Sequence, residues 1–162
     1  MNEDDPDGRL EYCEWFDGVV REDEEFAGKV IWTDESSIFP AIRDLFGYER
    51  FYLQEDGAPH HYHRDVRAYL DDTLPGRWIG RRGAIEYPPR SPDLTPLKFY
   101  LWGTLKDEVY RQKPATLNAL RETIEASCAA ITPDTLTAVV RSAVRRHRRC
   151  LAAYGGHVEH IQ

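Results

Sequence analysis

The chain has little sulfur and no long apolar run. Its 162 residues include three cysteines and one methionine. Cys13, Cys128 and Cys150 are odd in number, far apart and without a C-x-x-C pair, which excludes a disulfide framework and a zinc site of ordinary spacing. They read as buried thiols. No stretch approaches the ~20 apolar residues of a membrane span, and the opening MNEDDPDG is acidic where a secretory leader is basic and then apolar. The expectation is a soluble, intracellular chain with no membrane partner. Bases are scarce at the start, where the first 25 residues hold eleven acids against Arg9 and Arg21. That scarcity is local. The net charge of −7 conceals a remainder with 19 bases and 17 acids. Its bases cluster at Arg77, Arg81, Arg82 and Arg90, and again at Arg141, Arg145, Arg146, Arg148 and Arg149. Two basic patches keep a polyanionic partner open despite the acidic total.

With 41% hydrophobic and 12% aromatic residues, the length suits one domain with an ordinary core. Leu10, Cys13, Phe16 or Asp17, and Val20 fall at helical spacing and predict an acidic amphipathic helix. Val30 to Trp32 form a β-prone run that ends at Asp34. Ile38, Ile42, Leu45 and Phe46 predict a short helix, with Ser36 or Ser37 as cap, Pro40 in the first turn and Gly47 as stop. Phe51 to Leu53 repeat the β pattern and end at Asp56. A helix follows through Tyr62, Val66, Tyr69 and Leu70, and then two weak strands, RWIG and AIEY. From Thr95, read as N-cap with Pro96 at the first helical position, Leu97, Leu101, Leu105 and Val109 predict another helix. Two more are expected, through Leu117 to Ile131 and Leu136 to Leu151.

Strand, helix and strand in that order imply a parallel pair with a right-handed crossover, so Asp34 and Asp56 should meet at the carboxyl edge of a small α/β sheet. Two such carboxylates can hold Mg²⁺, which takes oxygen ligands and suits phosphodiester chemistry. On spacing alone, the plainer reading is that they cap the turns or helix that follow.

Four stretches add to this. VIWTDES, FYLQEDGAPHHY, GRWIGRRGAIEYPPRSPDLTPLKFYLWG and LAAYGGHVEHI closely resemble the catalytic region of Tc1/mariner-type transposases, from about Glu25 to the C-terminus with one large gap. The family signature D-[GN]-A-P followed by His is matched by Asp56, Gly57, Ala58, Pro59 and His61, with His61 and the Gly57–Pro59 turn supporting the acid. The resemblance implies an RNase H-like fold of the DDE superfamily, in which three acids bind two Mg²⁺ (or Mn²⁺) ions and drive DNA strand cleavage and transfer. The first two acids fall on Asp34 and Asp56. The third belongs to the last position of S-P-D-L-x-P-x-[DE], and here that position is Lys98.

Lysine is a donor only and brings positive charge to a place for divalent cations. At ~4 Å two unit like charges repel by about 1 kcal/mol in water and about 4 at an effective dielectric of 20, more against a doubly charged ion. Metal binding is therefore expected to be weakened and catalysis to be defective. Asp93 reads as a turn-forming acid rather than a substitute ligand, while Glu35, His60 and His63 read as bystanders. A second departure is the gap: only 21 residues separate Asp34 from Asp56, where the family's two strands and helix need roughly 33. The missing piece is read as the strand hairpin after Asp34, whose loss would open the edge of the first strand unless the acidic helix covers it. A third is that only an acidic helix stands before residue 25, so specific recognition of transposon ends is not expected.

The expectation is thus a truncated RNase H-like fold: a small, mostly parallel sheet with flanking helices and a C-terminal helical segment. Residues 1–28 form an acidic helical segment, 29–111 the core remnant and 112–162 the C-terminal helices. DNA is the expected partner, bound weakly and without sequence preference through Arg77, Arg81, Arg82 and Arg90 and through Arg145, Arg146, Arg148 and Arg149. A homodimer and a nuclear location are further expectations, and a co-opted, non-catalytic binding or self-association module is the alternative.

Overall fold

The computed structural model describes residues 5–34, 39–47, 50–58 and 63–158. Pro59, His60, His61, Ser36, Ser37 and Glu35 lie outside them. Helix α1, Pro6–Glu22, starts where the Asp5 carboxylate accepts the Gly8 N–H at 2.9 Å and Pro6 fills the first helical position. A 3₁₀ turn, Phe26–Lys29, leads into β1, Val30–Thr33. Then come α2, Phe39–Phe46, β2, Tyr52–Glu55, α3, Arg64–Thr73, β3, Trp78–Gly80, and β4, Ile85–Glu86. The C-terminal part holds α4, Trp102–Gln112, α5, Leu117–Ala129, and α6, Pro133–Ala152.

The four strands form one parallel sheet in the order β1-β2-β3-β4. Alternation along the strands sorts the core into two layers. Val30, Tyr52 and Ile79 face α1 and α6, with Tyr12, Cys13, Phe16, Phe26 and Cys150. Ile31, Leu53 and Trp78 face α2 and α3, with Ile42, Leu70 and Leu74. The acidic helix α1 lies on a sheet face, where Tyr12 donates to Gln54 of β2 at 3.1 Å. β1 is an end strand of the described sheet, and among the described residues the chain between Asp34 and Asp56 holds α2 and then β2.

Three local expectations need correction. Cys128 is exposed, unlike buried Cys13 and Cys150, because α5 buries only Thr123 and its apolar stripe meets no second layer. Leu45 and Leu136, read as core-facing, are exposed at the ends of their stripes. Thr95 does not cap a helix with its side chain. Its hydroxyl lies 2.7 Å from the Tyr87 hydroxyl and accepts from Gln54 Nε2 at 3.2 Å. Buried Tyr87 and Gln54 need partners more than the helix end does. The helix accordingly opens with a π-helical turn, Leu97–Leu101, that carries no side-chain cap.

Candidate active site

The site is built by the parallel pairing of β1 and β2. Register sets Thr33 beside Glu55, so Asp34 and Asp56, one residue further, leave the sheet side by side at its carboxyl edge. Both continue the parity of Val30 and Tyr52 and so emerge on the face that carries the residues after Thr95. Asp56 Oδ1 accepts the Ala58 N–H at 3.1 Å, closing an Asx turn through Gly57.

Lys98 comes to both acids. Its Nζ donates to Asp34 Oδ2 at 2.9 Å and stands 3.7 Å from Asp56 Oδ2. Trp102 Nε1 donates to the same Asp34 oxygen at 2.8 Å. Lys98 and Trp102 are four apart across the π-helical turn, where the Trp102 N–H bonds back to the Leu97 carbonyl. π-turns inside helices recur at functional sites because the extra residue re-aims side chains. Asp34 Oδ1 is buried and has no hydrogen-bond partner among the described residues. Trp102 was not singled out from the sequence, although its i, i+4 spacing from Lys98 was the available signal.

Asp93, the acid of the S-P-D-L run, is not a ligand. It is buried in a 3₁₀ turn, Pro92–Leu94, and takes a bidentate pair from Arg9 at 2.9 and 2.7 Å together with the Val158 N–H at 2.9 Å. Burial alone would raise its carboxyl, but the Arg9 guanidinium and the Val158 N–H hold it below the ordinary carboxylate range. The sequence reading of a turn acid holds for its backbone and misses the ion pair.

The arginines fall into two kinds. Arg146 donates to the Asp93 carbonyl at 3.2 Å with its guanidinium 4.2 Å from the Phe99 ring centroid, and Arg148 donates to Asp17 at 2.7 Å. These two fasten α6 to the core. Arg145 is exposed beside Arg141, Arg148 and Arg21 on a cavity of about 570 Å³ that Val20, Val140 and Val144 also line. In the loop, Arg77 donates to the Phe51 carbonyl at 3.4 Å, and Arg82 and Arg90 both adopt left-handed backbone, φ 59° and 56°. Glu86 accepts the Arg82 N–H at 2.8 Å and helps fix that turn. Gly83 is required there, since a Cβ would meet the Trp78 ring at 2.8 Å.

Among the described residues no group of three or more His, Cys, Asp or Glu side chains gathers as a metal site. Two carboxylates and an ammonium do not fit a divalent pair: Lys98 brings a cation, already bonded to one carboxylate.

No family profile matches the sequence, and no curated protein matches it. Solved structures do. The catalytic domain of the Mos1 mariner transposase matches with a TM-score of 0.77 at 14% identity, over 98% of this chain and 97% of that one. The same domain with Raltegravir and Mn matches at 0.78 and 15%, over 98% of both chains. The Mos1 strand transfer complex matches at 0.77 and 13%, over 97% of this chain and 64% of that one. The fold is that of a mariner transposase catalytic domain. It is an RNase H-like α/β architecture, as the sequence motifs implied. No helix among the described residues is long and apolar enough to cross a membrane.

Proposed function

We propose that the chain is a Tc1/mariner-type, DDE-superfamily transposase domain that binds DNA and by descent served Mg²⁺-dependent strand cleavage and transfer, but is catalytically defective. The observation that carries this reading is the convergence of Asp34 and Asp56 on the carboxyl edge of an RNase H-like sheet, with Lys98 between them. The similar Mos1 structures include a paired-end complex with the left transposon end and a strand transfer complex, and others with Mn or Mg. By analogy, Asp34 and Asp56 are the first two metal-ligating acids, and Lys98 occupies the place of the third. A nuclear location belongs to the same proposal.

The DNA-facing residues in this reading are Arg81, Arg82 and Arg90, on a loop of strained backbone next to the site, and exposed Arg145 on α6. Phosphate contacts by such residues are not sequence-specific, which suits weak, general binding. The Lys98 ion pair also favours the second reading, a co-opted module that keeps DNA affinity without chemistry. Both are tested by fluorescence anisotropy with a duplex across a salt series. The expectation is binding that weakens steeply with salt, with a slope reduced by about 1 for each phosphate-contacting arginine removed in Arg82→Ala, Arg90→Ala and Arg145→Ala. A plasmid nicking assay in Mg²⁺ or Mn²⁺ should give no cutting above background. Undetectable binding at low salt would sink the DNA reading, and nicking abolished by Asp34→Ala would sink the defect.

A further inference from the structure

We propose that the Lys98 ammonium is a tethered counter-ion, holding the two strand-end acids together without metal in a place that a hard divalent cation would otherwise take. The inference rests on reading the site as a former acidic centre, but not on DNA binding. Its grounds are geometric. The register of β1 and β2 forces Asp34 and Asp56 to leave the sheet as neighbours, so their like charges need a cation between them. Lys98 Nζ is 2.9 Å from one and 3.7 Å from the other, and all three side chains are partly shielded, 37% exposed for Lys98 against 17% and 24% for the acids. The π-helical turn brings Lys98 and Trp102 onto one oxygen of Asp34, so that oxygen is already doubly donated. The other, Oδ1, is buried without a donor among the described residues. It is an acceptor that an ammonium fixed on Oδ2 leaves idle, and a cation free to move between the carboxylates could use it.

The inference makes the cation requirement of the site depend on one side chain. With Lys98 present, the carboxylates are partly neutralised and an incoming divalent ion meets a positive charge. In Lys98→Ala the ammonium is gone, two carboxylates face each other, and a hard cation with oxygen preference becomes the natural replacement. The substitution should therefore create a Mn²⁺ dependence that the parent lacks.

The test measures binding of Mn²⁺ alone, by electron paramagnetic resonance of the free ion, and thermal melting with Mn²⁺ or with chelator. The expected result is a Mn²⁺ dissociation constant at least about tenfold lower for Lys98→Ala than for the parent. Melting of Lys98→Ala should fall in chelator and recover with Mn²⁺, as binding to the folded state alone requires, while parent melting stays flat. Adding Asp34→Asn to Lys98→Ala should remove the gain. If the parent binds Mn²⁺ as tightly as Lys98→Ala, or if the gain survives Asp34→Asn, the proposal is overturned. Should Lys98→Ala not fold, Lys98→Gln keeps the chain length without the charge and is held to the same outcomes. Loss of DNA affinity in a separate titration would count against the proposed function and leave these outcomes standing.

Discussion

Two acids in this molecule are each paired with a base, and they could hardly be placed more differently. Asp93 and Arg9 are both buried, 0% and 1% exposed at the side chain, with two parallel hydrogen bonds and further bonds to the Gly155 and Gly156 carbonyls and the Val158 N–H. Asp34 and Lys98 share one hydrogen bond at the rim of the sheet and stay in reach of water. The first pair ties α1, the Pro92–Leu94 turn and the chain after α6 into one knot. Gly155, at φ +84° and at a place where a Cβ would run into the Pro6 carbonyl, lets that knot close. Asp93, the acid of S-P-D-L, is thus architecture, while the pair at the candidate site is one that solvent can reach. Breaking the buried pair is therefore the largest effect to expect. Arg9→Met leaves the Asp93 carboxylate buried without its cation and should cost about 3–5 kcal/mol in urea unfolding. Adding Asp93→Asn should cost less than the two single changes together, since no charge is then stranded. Additive losses would show that the pair is not coupled.

A second break acts through pH. His147 of α6 is buried, stacked on Phe16 at 3.8 Å between ring centroids, with Nδ1 donating to the Ala143 carbonyl at 2.7 Å. Its Nε2 is buried without a partner among the described residues. Burial pushes its pKa down to about 4, against 6.5 for the free side chain. The unfolded chain then binds the extra proton first, so stability falls as pH drops through 6.5 and levels off near 4, where the folded state is protonated too. The loss across that window is about 3 kcal/mol. Asp93 acts lower still: its folded carboxyl is held below the ordinary range, so its contribution begins to fade where an unfolded aspartate protonates and is gone once the folded group protonates too. Thermal melts of His147→Leu should show a flatter profile between pH 6.5 and 4 than the parent. An unchanged slope would assign the acid sensitivity elsewhere.

What the sequence disclosed and what it hid follow the same division. Two short β-prone runs ending in aspartate gave away the parallel pair, because register and side-chain alternation are local rules that carry straight into Asp34 and Asp56. Lys98 was legible only through the resemblance to Tc1/mariner-type transposases, whose motif implies an acid at that position. Its bond to Asp34 was not, because an ammonium that repels a metal ion also attracts carboxylates, and tertiary packing decides which one it reaches. Arg9 and Asp93 lie 84 residues apart, and a tertiary ion pair leaves no trace in local pattern. Thr95 had every mark of a cap and lost that part to Tyr87 and Gln54, whose burial created a stronger demand for its hydroxyl. Leu45 and Leu136 show the converse limit, since periodicity fixes a face but not how far a second layer extends along it.

The smallest effect should come from trimming the exposed pair without removing it. Trp102 is 41% exposed, and its indole N–H is the second donor to the Asp34 oxygen that Lys98 already holds. Trp102→Phe keeps most of the ring and deletes the donor, at a cost of about 0.5–1.5 kcal/mol, and toward the low end because water can replace it. The sharper readout is its effect on Lys98. If the two donors share Asp34 as the distances indicate, removing the indole N–H should deepen the destabilisation caused by Lys98→Gln, since Asp34 then loses both. A double-mutant cycle measured by urea unfolding tests this, and a coupling energy of zero would mean that the two side chains reach Asp34 independently. The same substitution in the Arg9→Met background should be strictly additive, because the two ion pairs share no partner.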